Sequence, residues 1–213
     1  MNQKNQLVIN NIACERGDNR LFEHCNAQIS EGELWQIEGH NGIGKTSLLR
    51  IIAGLSPAAE GQVLWNNTPI FKQRSEYNAD LFYLGHQVGV KPELTAWENL
   101  RFYQKIQGLE QSDDLLWNAL DKVSLIGREE LPCSSLSAGQ QRRVALAKLW
   151  LTHARLWILD EPFTAIDKKG VQELIIQIEK HCDNQGIVIF TSHQSMTSDR
   201  VNKLSLDQFK VLG

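Results

Sequence analysis

Short apolar segments separated by turns make up the first part of the chain, and they predict strands. Residues 7–9 and 34–38 have the composition of strands, with a turn signal at residues 30–33 between them. A glycine-rich loop follows the second of these segments. Residues 46–53 then carry apolar side chains at helical spacing up to Gly54, so that a strand, a loop and a helix are predicted in that order.

The spacing changes in the middle of the chain and changes again after it. From about residue 94 to 151, including residues 97–107 and 113–123, the pattern is helical and contains few strand formers. Residues 156–159 and 187–190 are continuous apolar runs, which are typical of parallel strands covered by helices on both faces. The sequence therefore predicts an α/β fold with a parallel-sheet core and an N-terminal antiparallel β region.

We expect one domain over residues 1–213, in which a helical lobe of about residues 91–151 is inserted into a core of residues 1–90 and 152–213. A chain of 213 residues is long enough for one ordinary domain with a buried core. Its 22 basic and 25 acidic side chains give a net charge of −3, which excludes the strongly basic surface of a nucleic-acid-binding protein. We therefore expect no nucleic-acid partner.

The distribution of apolar residues also bears on the location of the protein. No apolar run is longer than four residues, so no segment can span a bilayer. The first six residues lack the apolar segment of a signal peptide. We expect the chain to stay in the cytosol, either free or against a membrane protein.

The cysteines are scattered along the chain. Cys14, Cys25, Cys133 and Cys182 form no C-x-x-C pair, so the spacing of a metal or redox site is missing. We expect reduced, structural thiols, as is usual in the cytosol.

The loop between the second predicted strand and its helix matches the phosphate-binding pattern G-x-x-x-x-G-K-[ST] at every fixed position. Its residues are Gly39, His40, Asn41, Gly42, Ile43, Gly44, Lys45 and Thr46. The glycines let backbone N–H groups turn toward phosphate oxygens, where the positive end of the helix dipole also lies. Lys45 is suited to the β- and γ-phosphates and the Thr46 hydroxyl to Mg²⁺. With Ser47, these residues predict a nucleoside triphosphate site; the alternative is a chance match.

Two adjacent acidic residues end the apolar run at residues 156–159. Asp160 lies at the carboxyl end of a predicted buried strand, where α/β sheets bind ligands, and we expect it to hold Mg²⁺ directly or through water. Glu161 is expected to point in another direction and to polarise the attacking water as the catalytic base. The alternative is a pair of solvated carboxylates at a strand end.

A third motif lies between the phosphate loop and the acidic pair. Its residues, Leu136, Ser137, Ala138, Gly139 and Gln140, resemble the L-S-G-G-Q signature of ATP-binding cassette (ABC) ATPases, with Ala138 in place of the first glycine. The order of the three motifs is also that of the family, and the resemblance covers essentially the whole chain. It implies a P-loop NTPase fold of the ABC ATPase type, ATP and Mg²⁺ as ligands, and a homodimer in which the signature of one copy caps the ATP bound by the other.

The resemblance implies roles for four further residues. Gln87 stands at the position of the Q-loop glutamine, which meets Mg²⁺ and the membrane partner, and Asp167 stands in the D-loop, which crosses the dimer interface. His193 corresponds to the switch histidine on the γ-phosphate; taken alone, it is more typical of a structural histidine. Arg16 stands where the family usually carries an aromatic residue against adenine. A guanidinium plane can also stack on a base, so the purine selectivity stays open.

A narrower resemblance is to the ATP-binding subunits of the bacterial haem exporter in c-type cytochrome maturation. It rests on residues 36–46, 83–86, 94–100 and 157–167. It implies an energy-coupling ATPase, peripheral on the cytoplasmic face of the inner membrane. An integral membrane transporter subunit and further haem-maturation membrane proteins are the implied partners. Whether haem itself is moved or a haem chaperone is released stays open.

Other functions remain as alternatives. The chain is also compatible with the ATPase subunit of another small-substrate or lipid exporter. A soluble ABC protein that acts mechanically or in translation is disfavoured, because the chain has a single cassette and no heptad repeats. A module that holds ATP without turnover is disfavoured by the presence of Glu161 and Lys45.

Overall fold

The structure, a computed structural model, describes residues 4–17, 19–87, 89–109, 112–193, 196 and 198–211. The chain forms two compact units. The first consists of the residues up to 85, residues 154–161 and the residues from 180 onward, and the second consists of residues 86–153 and 162–179. Residues 162–179, which were predicted to belong to the core, group with the second unit. The organisation as one domain, with a helical lobe of about residues 91–151 inserted into the core, stays a prediction.

The strands and helices have the following bounds. Along the described residues the strands are β1 Gln6–Arg16, β2 Asn19–Ser30, β3 Leu34–Glu38, β4 Glu60–Trp65, β5 Thr68–Pro69, β6 Leu81–Leu84, β7 Leu156–Asp160, β8 Ile187–Thr191 and β9 Val201–Ser205. The α-helices are α1 Lys45–Ile52, α2 Arg74–Asp80, α3 Ala96–Ile106, α4 Asp113–Lys122, α5 Ala138–Ala147 and α6 Lys168–Asp183. Turns of 3₁₀ helix cover Ile70–Lys72, Cys133–Ser135, Lys148–Trp150 and Leu206–Phe209.

The first unit contains an antiparallel sheet with the strand order β2-β1-β4-β5. Strand β1 is paired on both sides, with Leu7 opposite Ile29 of β2 and Trp65 of β4. At the start of β1 the side chains alternate, so that Leu7 and Ile9 are buried while Val8 is partly exposed. The buried face of this sheet therefore supplies one side of an apolar core.

The same unit contains a parallel sheet with the order β6-β7-β8-β3-β9. Every residue of β7 and β8 is buried, as the continuous apolar runs predict for strands covered on both faces. The two strands lie in register, with Asp160 opposite Thr191 at their carboxyl ends. The predicted fold class is confirmed: the protein is an α/β protein with a parallel-sheet core, an antiparallel β region and helices.

One apolar core joins the two sheets and α1. It includes Ile9 from β1, Leu48 and Ile52 from α1, and Ile158 and Ile189 from the parallel sheet. The loop before α1 is therefore attached at both ends to buried elements, since β3 precedes it and α1 follows it. This packing fixes the position of the loop relative to the carboxyl ends of β7 and β8.

The cysteine side chains are all buried and form no disulfide among the residues that the structure describes. Burial raises the pKa of the Cys25 thiol to about 12, so that the thiol stays protonated at neutral pH. These thiols pack as small apolar groups.

The second unit is built from helices. The N-terminus of α3 has a capping box, in which the Thr95 hydroxyl accepts from the N–H of Glu98 and the Glu98 carboxylate accepts from the N–H of Thr95. Helices α3, α4 and α5 pack together, with Leu100, Leu120 and Val144 buried among them. Within the described part of the chain, we find no helix that is long and apolar enough to cross a membrane.

Candidate functional site

The phosphate loop connects β3 to α1 and requires its glycines for two reasons. Gly39 and Gly44 have φ values of 145° and 107°, which lie in the region that favours glycine. A Cβ atom on Gly39 would lie 2.9 Å from Cγ2 of Ile43, and one on Gly44 would lie 3.0 Å from the Phe22 ring. The loop is therefore tightly folded on itself and against β2, which leaves its backbone N–H groups in fixed directions.

The Lys45 side chain folds back over this loop. Its ammonium group donates to the carbonyl oxygens of Gly39 over 2.6 Å and His40 over 3.3 Å. The cation is thus held next to the loop at the first residue of α1, where the helix dipole is also positive. This combination is suited to the phosphates of a nucleotide.

His40 faces away from this centre and contacts the C-terminal part of the chain. Its Nδ1 lies 2.5 Å from Oδ1 of Asp207, which also accepts from the backbone N–H of His40 over 3.4 Å. The hydrogen bond from the His40 side chain is the main reason why the pKa of Asp207 is lowered. The turn Leu206–Phe209 is thereby attached to the start of the phosphate loop.

The acidic pair is organised by Thr191. The Thr191 hydroxyl donates to Oδ1 of Asp160 over 2.7 Å and accepts from the N–H of Glu161 over 3.0 Å. Asp160 and Thr191 are almost completely buried, with 4% and 1% of their surface exposed. Burial, followed by the negative charge of Asp160, raises the pKa of Tyr83, so that its phenol stays neutral beside the carboxylate.

Glu161 differs from Asp160 in both backbone and environment. It has a φ of 52°, which is unusual for a residue with a Cβ and is typical of functional sites. Its Oε2 accepts from the N–H of His193 over 3.2 Å, and its Oε1 lies 3.6 Å from Nε2 of the same residue. The two adjacent carboxylates therefore point in different directions, and Glu161 lies beside His193.

Residues of the phosphate loop, the acidic pair and His193 line one cavity of about 250 Å³ in the first unit. Its predicted site residues are Arg16, Asn41, Gly42, Gly44, Lys45, Thr46, Ser47, Asp160, Glu161 and His193, and Leu21 and Thr191 line it as well. Ile43 instead packs into the apolar core, so only its backbone is suited to a ligand. The structure thus brings the loop and the acidic pair, predicted from distant parts of the sequence, into one cavity.

The residues of this cavity fit Mg²⁺. Thr46 and Asp160 present a hydroxyl and a carboxylate to the same space, and both are oxygen ligands of the kind that Mg²⁺ prefers. In the part of the chain that the structure describes, no three His, Cys, Asp or Glu side chains come together as a metal cage. Mg²⁺ is usually held by one or two carboxylates and by substrate phosphates rather than by such a cage.

The signature lies on the second unit and begins α5. Ser137 is the N-cap of the helix: its hydroxyl accepts from the N–H of Gln140, whose side chain accepts in return from the N–H of Ser137. A Cβ on Gly139 would lie 3.0 Å from the carbonyl oxygen of Ala165. Leu136 is buried and Ala138 is exposed. The start of α5 is therefore in close contact with Ala165, in the segment that leads to Asp167.

Asp167 fixes the other side of this contact. Its carboxylate accepts from the N–H of Gly170 over 2.8 Å, and the Arg143 guanidinium lies 2.9 Å away. The Gly170 hydrogen bond is the main cause that lowers the pKa of Asp167, and the charge of Arg143 lowers it further. Gln87 also lies in the second unit and is exposed.

Several residues of the two sites were not predicted. Thr191 ends an apolar run, and only its register with Asp160 explains its role. Asp207 has no sequence signal. Gln141 donates to the carbonyl oxygens of Cys133 and Leu136, and so holds the segment before the signature. The buried Asn99 amide likewise donates to carbonyl oxygens before α3. The capping-box pattern of Thr95 and Glu98 could have predicted the start of this helix.

Comparison with known proteins identifies the family. The sequence profile of ABC transporters matches residues 22–164, which include the phosphate loop, the signature and the acidic pair. The chain belongs to the ABC transporter family. The predicted membership in the ABC ATPases is thus confirmed.

Two relatives narrow the placement within the ABC family. A protein of Haemophilus ducreyi named cytochrome c biogenesis ATP-binding export protein CcmA is 69% identical over 207 residues, which cover 97% of this chain and 99% of that protein. The protein of the same name from Haemophilus influenzae is 55% identical over 210 residues, or 99% of each chain. The predicted similarity to ATP-binding subunits of cytochrome c maturation is confirmed.

Solved structures of ABC proteins have the same fold. An ABC transporter ATP-binding protein of Pyrococcus furiosus has a TM-score of 0.83 and 26% identity, with 97% of this chain and 100% of that chain covered. A dimeric ATP-binding cassette in a post-hydrolysis state, bound to ADP and Pi, has a TM-score of 0.79 and 22% identity over 94% of this chain and 96% of that one. The second similarity shows the fold alone.

Proposed function

We propose that this chain is the ATP-hydrolysing, energy-coupling subunit of a membrane export complex in cytochrome c biogenesis. The names of its relatives support the pathway, and the resemblance implies the haem exporter complex. The observation that carries the catalytic part is the network of Thr191 with Asp160 and Glu161 in the cavity of the phosphate loop. A cavity with a cation at the loop and two differently directed carboxylates opposite it supports phosphoryl transfer to water.

The binding roles follow from charge and position. The backbone of the loop and the ammonium group of Lys45 would bind the phosphates of ATP. Thr46 and Asp160 would hold Mg²⁺, to which the resemblance adds Gln87. When bound, Mg²⁺ supplies positive charge to the β- and γ-phosphate oxygens.

The catalytic roles are assigned to residues beside the γ-phosphate position. Glu161 would orient the attacking water and accept its proton, because its carboxylate lies in the cavity but points away from the Asp160 hydrogen bond. His193, which holds Glu161 through its N–H, would donate a hydrogen bond to the γ-phosphate as charge develops there.

The signature and the D-loop would act in a second copy of the chain. The Ser137 hydroxyl accepts from Gln140 and still has its own hydrogen to donate, and the N–H groups at the start of α5 favour an anion. We expect this surface to cap the γ-phosphate bound by the partner copy, with Asp167 near the interface. ATP would therefore join two copies head to tail.

Export across a membrane requires a protein that spans it, and no helix among the described residues of this chain does so. We expect an integral membrane transporter subunit to dock near Gln87 and to hold the protein at the cytoplasmic face of the inner membrane. Hydrolysis in the dimer would then drive the transport cycle of that subunit.

The test uses the tagged full chain, expressed in its own host and purified from detergent-solubilised membranes. The wild type should purify from membranes with an integral partner and hydrolyse ATP, and Lys45→Ala should nearly abolish hydrolysis. Lys203→Ala, at an exposed lysine paired with Glu38, is the matched control and should keep the activity. Recovery with ribosomes or DNA would favour a soluble ABC protein, and ATP binding without turnover would favour a binding module.

A further inference from the structure

One peptide group at the start of the phosphate loop, between Gly39 and His40, is held from both sides. Its carbonyl oxygen, on Gly39, accepts from the ammonium group of Lys45 over 2.6 Å. Its N–H group, on His40, donates to Oδ1 of Asp207 over 3.4 Å. Because the peptide bond is planar and trans, its carbonyl and its N–H point in opposite directions. The peptide therefore lies between the ammonium group and the carboxylate and is bonded to both.

The Asp207 carboxylate is itself held close to this peptide. Nδ1 of the His40 side chain lies 2.5 Å from the same Oδ1. The preceding residue, Leu206, is completely buried in the apolar core. The position that a Cβ on Gly39 would take is 3.5 Å from Cβ of Leu206 and 3.7 Å from Oδ2 of Asp207. The turn Leu206–Phe209 therefore packs directly against the start of the loop and carries the carboxylate to the His40 N–H.

The same peptide helps to decide where the Lys45 ammonium group lies. An ammonium group has three hydrogens to donate. Two of them serve the carbonyl oxygens of Gly39 and His40, so one is left for a ligand in the cavity that Lys45 lines. The ammonium group is therefore directed by two carbonyl groups, and the one at the shorter distance belongs to the peptide that Asp207 holds.

The charges at the two ends of this arrangement have opposite signs. A carboxylate that accepts from a peptide N–H polarises the peptide, which makes its carbonyl oxygen a stronger acceptor for the ammonium group. The hydrogen bond from the His40 side chain is the main reason why the pKa of Asp207 is lowered, and the positive charge of Lys45 lowers this pKa further. Asp207 and Lys45 therefore stabilise each other through the peptide.

We propose that Asp207 is a positioning residue of the phosphate site: through the peptide before His40, it fixes the carbonyl oxygen that directs the Lys45 ammonium group toward the phosphates. The inference rests on the proposed function, since it concerns how the phosphates of the nucleotide are bound. It also assigns a role to the His40 side chain, which holds the Asp207 carboxylate at the peptide and does not contact the nucleotide.

Asp207 also has an effect of the opposite sign on phosphate binding. A carboxylate beside the loop repels phosphate, so its charge taken alone weakens phosphate binding. Its side chain is 49% exposed, and water and salt therefore screen this repulsion. We expect the loss of the hydrogen bond to the His40 N–H to outweigh the loss of the repulsion when the side chain is removed.

The experiment measures the binding of ATP and of inorganic tripolyphosphate to the full chain by calorimetry. Asp207→Ala removes the acceptor, and Asp207→Asn keeps an acceptor oxygen without the charge. Asp183→Ala is the matched control, since Asp183 is an exposed aspartate that pairs with Arg200 and does not line the cavity. The unfolding midpoint of each variant shows whether its folding is unchanged.

We expect Asp207→Ala to weaken the binding of tripolyphosphate and of ATP about three- to tenfold, as the loss of one hydrogen bond implies, with a nearly unchanged unfolding midpoint. Asp207→Asn should bind both close to the wild-type affinity, because an acceptor oxygen is kept and the weaker hydrogen bond is offset by the lost repulsion. Asp183→Ala should bind both like the wild type. A purely structural role of Asp207 would lower the midpoint of Asp207→Ala and leave phosphate binding unchanged.

His40→Ala tests the hold on the carboxylate. This variant keeps the backbone N–H and loses the Nδ1 contact, so it should weaken tripolyphosphate binding less than Asp207→Ala does. The double variant should bind like Asp207→Ala alone, because the His40 side chain acts through the carboxylate.

Three results would overturn the role of Asp207. They are wild-type or tighter tripolyphosphate binding by Asp207→Ala, equally weak binding by Asp207→Asn and Asp207→Ala, and additive effects of the His40 and Asp207 changes in the double variant. In each case a wild type that binds ATP and tripolyphosphate leaves the proposed function standing. If the wild type binds neither, the proposed function fails too.

Discussion

Thr191 donates its hydroxyl hydrogen to Oδ1 of Asp160 over 2.7 Å, between neighbouring strands in which both residues are buried. The hydroxyl oxygen of Thr191 also accepts a hydrogen bond from the N–H of Glu161 over 3.0 Å. The Thr191 hydroxyl thus orients the carboxylate of Asp160, which we assign to Mg²⁺, and holds the backbone of Glu161, which we assign to the attacking water. The two roles are coupled through the Thr191 side chain, which lines the same cavity.

Removing this hydroxyl should damage both stability and catalysis. Thr191→Val keeps the shape but leaves a buried carboxylate oxygen and the Glu161 N–H without this partner, which should cost about 1–3 kcal/mol of unfolding free energy. Hydrolysis should slow because Glu161 is no longer held at its positive φ. Urea denaturation and single-turnover ATP hydrolysis measure the two effects. Thr191→Ser, which keeps the hydroxyl, should retain most of both, and an equal loss in Ser and Val would contradict the role of the hydroxyl.

The two carboxylates should fail in different ways when each is neutralised. Glu161→Gln should keep ATP and Mg²⁺ binding while the chemical step slows by about 10²–10⁴-fold, as is typical for a lost general base. Asp160→Asn should weaken Mg²⁺-dependent nucleotide binding, because the buried anionic ligand is gone.

His193→Ala provides a third comparison in the same membrane complex. It should slow hydrolysis with little change in affinity, since its hydrogen bond gains strength as charge moves onto the γ-phosphate. Binding is measured by calorimetry and chemistry by single turnover for all three variants. If Glu161→Gln lost binding as severely as Asp160→Asn, Glu161 would be a metal or structural residue rather than the base.

Sequence patterns predicted those parts of the site that depend on local conformation. The loop before α1 and the apolar run of β7 each place their residues through the element that they belong to, so Lys45 and Asp160 could be identified from neighbouring residues alone. Thr191 and Asp207 could not, because their partners are remote in the chain. Thr191 meets Asp160 only through the register of β7 and β8, and Asp207 reaches His40 only because the turn Leu206–Phe209 packs beside the loop.

The contact between Gly139 and Ala165 predicts which signature residue tolerates change. A valine at position 139 would place its Cβ 3.0 Å from the Ala165 carbonyl oxygen and its methyl groups nearby, so the signature or the D-loop must shift. Gly139→Val should therefore leave the chain folded but reduce ATP-driven dimerisation, measured by light scattering in the Glu161→Gln background. Ala138→Gly, at the neighbouring exposed position, is the control and should dimerise normally. Normal dimerisation of Gly139→Val would show that this contact is unimportant for the interface.

His181, near the end of α6, is enclosed by aromatic and backbone groups. Its ring stacks on Trp157 with centroids 3.8 Å apart and planes 8° from parallel, and its Nε2 lies 3.2 Å from the Arg155 carbonyl oxygen. A Cβ on Gly186 would lie 2.1 Å from the same nitrogen. Burial lowers the pKa of His181 to about 4 from its ordinary value of 6.5.

This pKa makes the fold sensitive to acid in a defined range. Between pH 6.5 and 4 the unfolded chain binds a proton at His181 that the folded chain does not, so the unfolding free energy falls as the pH falls. Above pH 6.5 His181 does not contribute to the pH dependence of the unfolding free energy. The contribution is about 3 kcal/mol across the range. His181→Phe keeps an aromatic ring on Trp157, and the Arg155 carbonyl still accepts from the N–H of Ile187. Urea denaturation at several pH values should show a smaller loss of stability for this variant than for the wild type. His86→Gln, at an exposed histidine, should follow the wild type, and identical slopes for His181→Phe and the wild type would exclude a buried neutral His181 as the cause.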